Sequence, residues 1–128
     1  MGFLDRFSEQ AYALLRIVAG LLFLGHGAQK LLSFPVAFPY PLNPMSTVAG
    51  VIELVGGALI ALGLLARPVA FIASGMCAVG YWMVHGSQGL YPIVNGGELI
   101  ALYCFIFLFI AARGAGIWSV DAATRKNA

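Results

Sequence analysis

The sequence predicts an all-α integral membrane protein, a bundle of four transmembrane helices with both termini in the cytoplasm, and three observations carry that prediction. The 128 residues are 61% hydrophobic and 9% charged, against about 45–50% apolar and about 25% charged in soluble domains. The mean hydropathy is +0.92. The few charges stand mostly at the edges of apolar runs, and four of these runs are long enough, at about 1.5 Å per residue, to cross about 30 Å of hydrocarbon.

The first helix is expected over about residues 11–32, after the mixed-charge stretch MGFLDRFSEQ. This run is too long for the apolar region of a signal peptide and has no A-x-A cleavage site, so it is expected to stay in the mature chain. The second and third helices, about 46–66 and 68–85, are separated by Arg67 and Pro68, a tight hairpin with proline in the opening turn. Before them, SFPVAFPYPLNPM is proline-rich and uncharged, and its Phe34, Phe38 and Tyr40 suit a membrane interface. The fourth helix is expected over about 96–113. Its apolar stretch from Leu99 to Ala112 reaches only about 21 Å, so the span needs Asn95 to Glu98 as well. The polar end SVDAATRKNA suggests a short helix from Ser119. No repeat is evident, and one domain over 1–128 accounts for the chain.

Four spans place the short Arg67 turn and both termini on one side. Arg6, Arg16, Arg67, Arg113, Arg125 and Lys126 fall on or near it, with Lys30 alone opposite. The positive-inside rule puts that side in the cytoplasm. A net charge of +2 spread along span edges offers no patch that tracks phosphates, so nucleic acid is not an expected partner. Membrane lipid is. Cys77 and Cys104 stand alone in apolar runs and read as small core residues rather than a dithiol site.

The polar residues within the spans are the candidates for function. In GHGAQKLL, His26, Gln29 and Lys30 share one helical face near the outer end of the first helix. Glu53 lies about 10 Å below the start of the second helix. An ionised acid near a helix centre costs about 2.5–3.5 kcal/mol, so Glu53 is expected to face the bundle, a wet cavity or a partner such as Lys30 or Arg16. Gly50, Glu53, Gly57 and Ala61 form one stripe, and its small residues permit close helix contact. Tyr81 and His85 end the third helix, while Asn95 and Glu98 open the fourth. Residue counting places all eight of these polar groups in the outer half. Arg16 is expected to extend toward the inner interface, and Lys30 either to extend outward or to pair.

Glu53 and His26 are the candidate catalytic residues. Lys30, Gln29, Tyr81, His85, Asn95 and Glu98 are the candidate binding residues. The inventory permits quinone handling, which needs an apolar, aromatic slot with a proton-exchanging group at each carbonyl. No H-x-x-x-H or E-x-x-H spacing points to a metal, and no flavin, haem or iron–sulfur signature is present.

The segments LLRIVAGLLFLGHGAQKLL, GVIELVGGALIALGLLARPVA and NGGELIALYCFIFLFIAARGAGIWSVD, taken together, resemble the DoxX family of small four-helix bacterial membrane proteins. The family is named for a subunit of a thiosulfate:quinone oxidoreductase. The resemblance implies a multi-pass protein of the bacterial inner membrane, associated with quinone-linked oxidoreduction in a respiratory chain. It implies other membrane subunits or further copies of itself as partners. On that reading Glu53 is a proton acceptor, His26 a donor to a quinone oxygen, Lys30 an electrostatic partner and Glu98 a proton exit. The rival expectations are a non-catalytic accessory subunit of a larger respiratory complex and a small-solute or proton pathway.

Overall fold

The computed structural model describes residues 2–124, and every regular element among them is helical. Arg125 and Lys126, used in the charge argument, lie outside the described residues. A short helix α1 (Gly2–Asp5) precedes the long α2 (Ser8–Leu32). Next come α3 (Pro44–Leu62) and α4 (Ala66–Gln88). The single turn α5 (Pro92–Asn95) leads into α6 (Glu98–Arg113), and α7 (Val120–Thr124) follows. Three of these, α2, α3 and α4, are long and apolar enough to cross a membrane. The 16 residues of α6 are fewer than a full span requires.

Local chemistry sets the bounds. The α3 helix begins earlier than expected because Asn43 and Ser46 form a capping box around Pro44. It ends at Leu62 because Gly63 takes a left-handed conformation (φ 71°). The α4 helix starts at Ala66, which places Pro68 in its first turn, where an N–H has no intrahelical partner in any case. Two helices contain a widened π-helical turn: Ile52–Gly56 in α3 and Tyr81–His85 in α4. Ser119 caps α7 by accepting from the Ala122 N–H at 3.0 Å, as its position in the sequence predicts.

The helices pack as two pairs, α2 with α3 and α4 with α6. Backbone meets backbone in the first pair. A Cβ placed on Gly57 would lie 2.5 Å from the Leu24 nitrogen and 2.6 Å from the Gly20 oxygen, and one on Gly20 would lie 2.6 Å from the Ala61 nitrogen. The glycine-bearing stripe of α3 therefore faces α2. In the second pair, Ala66, Ala70, Ala73 and Cys77 present a fully buried small-residue face. Phe23 of α2 joins the pairs, packing on Phe107 at 4.7 Å and edge-on to Tyr103 at 5.5 Å between ring centroids. The outside carries exposed apolar side chains, among them Leu14, Val18, Val55, Phe71, Leu102 and Phe105. Lipid, not water, is the solvent for such a surface.

The close α2–α3 contact makes a direct prediction. Gly57→Ala forces the helices apart and costs about 1–3 kcal/mol, whereas Gly25→Ala, which meets nothing within 4 Å, leaves stability unchanged or raises it by about 0.5–1 kcal/mol. Thermal unfolding of the two variants in detergent checks the contrast.

Candidate functional site

The polar residues divide between the two ends of the bundle. At the Lys30 end, close approach of α2 and α3 brings together the only ion pair among the described residues. A Cβ on Gly27 would lie 2.7 Å from the Gly50 oxygen, and Lys30 Cβ lies 3.3 Å from where a Cβ on Gly50 would sit. Side chains on a helix lean toward its N-terminus, so Lys30 reaches down along α2 to the next turn of α3, where Glu53 stands. Its Nζ donates to Glu53 Oε2 at 3.0 Å and approaches Oε1 at 2.9 Å. Glu53 is 6% exposed, and both of its oxygens lie within 3.0 Å of the Lys30 ammonium.

This carboxylate sits in the π-helical turn of α3, a local departure from regular helix that recurs at functional positions. Above the pair, Phe38 of the 33–43 loop places its ring 5.7 Å from Lys30 Nζ, a cation–π distance.

His26 lies one turn below Lys30 on the same face of α2. Its ring meets Tyr103 of α6 edge-on at 6.0 Å. Tyr103 was not singled out from the sequence, yet it is buried, stacked on Phe107 at 5.4 Å, and its hydroxyl has no hydrogen-bond partner. Along one face of α2, Lys30 thus meets Glu53 of α3 and, one turn below, His26 meets Tyr103 of α6.

Tyr81, His85 and Asn95 form a second, separate group. Asn95 is 6% exposed. Its Nδ2 donates to Tyr81 Oη at 3.1 Å and to the Gly89 carbonyl at 3.0 Å, and its Oδ1 accepts from the Gly97 N–H at 2.8 Å. His85 Nδ1 lies 3.0 Å from the Asn95 carbonyl, so Nδ1 is the donor. A Cβ on Gly97 would lie 2.6 Å from the Tyr81 ring and 2.8 Å from His85 Cβ, which explains the second glycine of N-G-G-E. With the polar atoms of Asn95 used, this group joins the end of α4 to the start of α6.

Gln29 is half-buried and makes no hydrogen bond among the described residues. Glu98 is exposed and pairs with none of the other candidates; it lines a shallow groove with Pro92, Leu99, Leu102 and Phe105. A second, apolar groove of about 220 Å³ lies between α3 and α4, walled by Val51, Ile52, Val55, Leu59, Val69 and Ile72, with Gly56 in its lining. A Cβ on Gly56 would lie 3.6 Å from Val69 and 4.0 Å from the Phe23 ring.

The opposite end corrects the expectation for Arg16. It does not extend to an interface: it is fully buried and donates only to backbone carbonyls. Nε reaches Ile60 O at 3.1 Å. Nη1 reaches Ala115 O and, at 3.0 Å, Ile117 O; Nη2 reaches Trp118 O at 2.7 Å and Ala61 O at 3.5 Å. The guanidinium so caps the C-terminal end of α3, where carbonyls lack intrahelical partners and carry the negative end of the helix dipole. Arg67 does the same for α6 through Ala111, Ala112 and Arg113 carbonyls at 2.6–3.2 Å. Asp121 answers at the positive end of α4, accepting from the Leu65 and Ala66 N–H groups at 3.0 and 2.9 Å. Tyr12 donates to Gly114 O at 2.6 Å. The G-x-G-x-x-S-x-D stretch is thus a clasp that closes the bundle.

Packed apolar helices with an apolar outer surface and a buried ion pair define the class, a helical membrane protein. The chain belongs to the DoxX family, whose model matches residues 11–86, a stretch that contains Arg16, His26, Lys30 and Glu53. It is similar to a protein of Haemophilus influenzae described as uncharacterized, 41% identical over 94% of this chain and 96% of that one. No solved structure matches it.

Arg16→Lys retains the charge but loses the planar fork that serves several carbonyls at once. The expected loss is about 2 kcal/mol or more of stability, read as a lower thermal midpoint and a lower folded yield.

Proposed function

We propose that this DoxX protein is a membrane subunit of a quinone-linked oxidoreduction system, in which it supplies the protein side of a quinone site around Glu53. The observation that carries the reading is the Glu53 carboxylate itself, 6% exposed in the interior and held by a single cation, Lys30, at 2.9–3.0 Å. A buried ionisable group inside an apolar bundle is costly and marks a candidate site.

Near it Phe23, Tyr103 and Phe107 pack on one another as an aromatic cluster, and the apolar groove between α3 and α4 runs over Gly56. A bound quinone takes up two electrons and two protons to become a quinol, with the electrons coming from a redox partner subunit. Glu53 exchanges protons with the facing ligand oxygen. Lys30 fixes the position and charge of Glu53. His26 orders the neighbouring ring.

The same reading places the chain in a bacterial inner membrane with four spans. The α6 helix covers about 24 Å, and Asn95–Gly97 with α5 complete the crossing. Arg16, Arg67 and Arg113 at the clasp end favour a cytoplasmic location for that end and for both termini. An impermeant thiol reagent applied to intact cells is expected to label Leu90→Cys but not Leu65→Cys; the reverse pattern overturns this orientation.

A second reading, a non-catalytic accessory subunit, is favoured by one observation: the Lys30–Glu53 pair directly ties α2 to α3. The two readings separate in a single set of measurements on the purified chain. For the quinone site, Glu53→Gln weakens quinone binding about tenfold or more while the protein stays folded. For the accessory role, Lys30→Met lowers stability, Lys30→Met with Glu53→Gln restores much of it, and no variant changes quinone affinity.

A further inference from the structure

The clasp end holds more positive charge than its acids answer. Arg16 lies within electrostatic reach of Asp121, whose oxygens already accept from the Leu65 and Ala66 N–H groups. Arg67 and Arg113 have no acid of their own among the described residues. Asp5 and Glu9, at the same end, are exposed and form no ion pair with either.

The fold holds these two guanidinium groups near each other. Arg67 Nη2 donates to the Arg113 carbonyl at 3.1 Å, and its Nη1 donates to the Ala111 and Ala112 carbonyls. Its Nε–H and one Nη2 proton remain unused. Arg113 is exposed, and its Cζ stands 4.6 Å from the centroid of the Tyr12 ring. That ring is itself fixed, since its hydroxyl donates to Gly114 O at 2.6 Å and Phe109 meets it edge-on at 5.5 Å. Stacking on a fixed ring positions the Arg113 fork, yet none of its N–H groups has a hydrogen-bond partner among the described residues.

One turn deeper the surface is aromatic. Phe71 follows Arg67 by four residues on α4, and Phe109 precedes Arg113 by four on α6, so each phenylalanine lies below its arginine on the same face. They are 65% and 51% exposed. Unpaired guanidinium groups where two spans end, over rings that face lipid, match an amphiphile with an anionic head. Phosphate oxygens are the acceptors that such forks suit, and basic sites between helices on the cytoplasmic side bind lipid head groups.

We infer that Arg67 and Arg113 bind the phosphodiester of an anionic phospholipid, whose acyl chains run along Phe71 and Phe109. A zwitterionic lipid carries the same phosphate, but its ammonium offsets the charge that the arginine pair answers, so the site prefers a head group of net negative charge. The inference is independent of the Glu53 reading, because the two sites lie at opposite ends of the bundle.

Arg113→Gln is the decisive variant, because it removes a charge that makes no hydrogen bond among the described residues. Arg6→Gln, at the same end but outside the pair, is its control. The full chain in nonionic detergent is titrated with phosphatidylglycerol and, separately, with phosphatidylcholine, and bound lipid is counted by native mass spectrometry. Inorganic phosphate serves as competitor, and thermal midpoints are read without lipid. The expected result is tighter binding of phosphatidylglycerol than of phosphatidylcholine. Arg113→Gln weakens the former roughly fivefold and leaves the lipid-free midpoint unchanged, while Arg6→Gln has little effect. Equal affinity for the two lipids overturns the inference, as does equal weakening by Arg6→Gln and Arg113→Gln, which shows a diffuse positive surface. Displacement of phosphatidylglycerol by inorganic phosphate at equal concentration shows a site for the free anion and overturns the lipid assignment. A lower lipid-free midpoint for Arg113→Gln with unchanged phosphatidylglycerol affinity shows a structural role and overturns it too.

Discussion

The structure depends on how one guanidinium is kept out of lipid. Arg16 lies about two turns inside an apolar helix, and a charge there is tolerable only with partners. Its partners are not acids. They are backbone carbonyls left over where α3 ends and where the 115–118 loop passes beneath it. The arrangement solves two problems together, since helix ends inside a membrane protein also need donors for their terminal carbonyls. Arg67 and Asp121 repeat the solution on neighbouring helices, each matched in sign to the dipole it meets. The connections can therefore be short while their polar backbone remains satisfied.

The two ends of the bundle are held differently. At the Arg16 end, side chains serve backbone groups far apart in sequence. At the Lys30 end, the glycine contacts that press α2 against α3 leave Glu53 buried against a single cation, and the Tyr103 hydroxyl stands without a hydrogen-bond partner. Local rule-breaking that survives inside an otherwise well-matched fold tends to mark the place where a protein acts. The π-helical turn at Ile52–Gly56 belongs to the same pattern, because it interrupts regular helix at the residue most costly to bury.

Much of this was legible in the sequence, and the limits have a physical cause. Residue counting along a helix gives depth, so Glu53 and Lys30 could be placed at neighbouring levels, and the Gly50–Gly57–Ala61 stripe announced a close helix contact without naming α2 as the partner. Counting does not give the direction around the bundle. Tyr81, His85 and Asn95 were placed at the right level yet meet one another instead of Glu53, and Glu98 points away from them all. Tyr103 was hidden for another reason: α6 is apolar on every side, so no periodicity distinguishes its inner face. Arg16 was hidden because its partners are carbonyls, which every residue has and no sequence pattern announces. The N-G-G-E and G-x-G-x-x-S-x-D stretches were visible as patterns, and only the packing of Gly97 and Asp121 shows what they are for.

The clasp has a consequence for biogenesis. Arg16 enters the membrane with the first span, and α3 brings it the Ile60 and Ala61 carbonyls. The carbonyls of Ala115, Ile117 and Trp118 are synthesised about a hundred residues after the arginine they serve. Until they arrive only the Ile60 and Ala61 carbonyls serve the guanidinium. A chain that stops before residue 115 therefore lacks three of the five carbonyls that hold Arg16 in the finished fold.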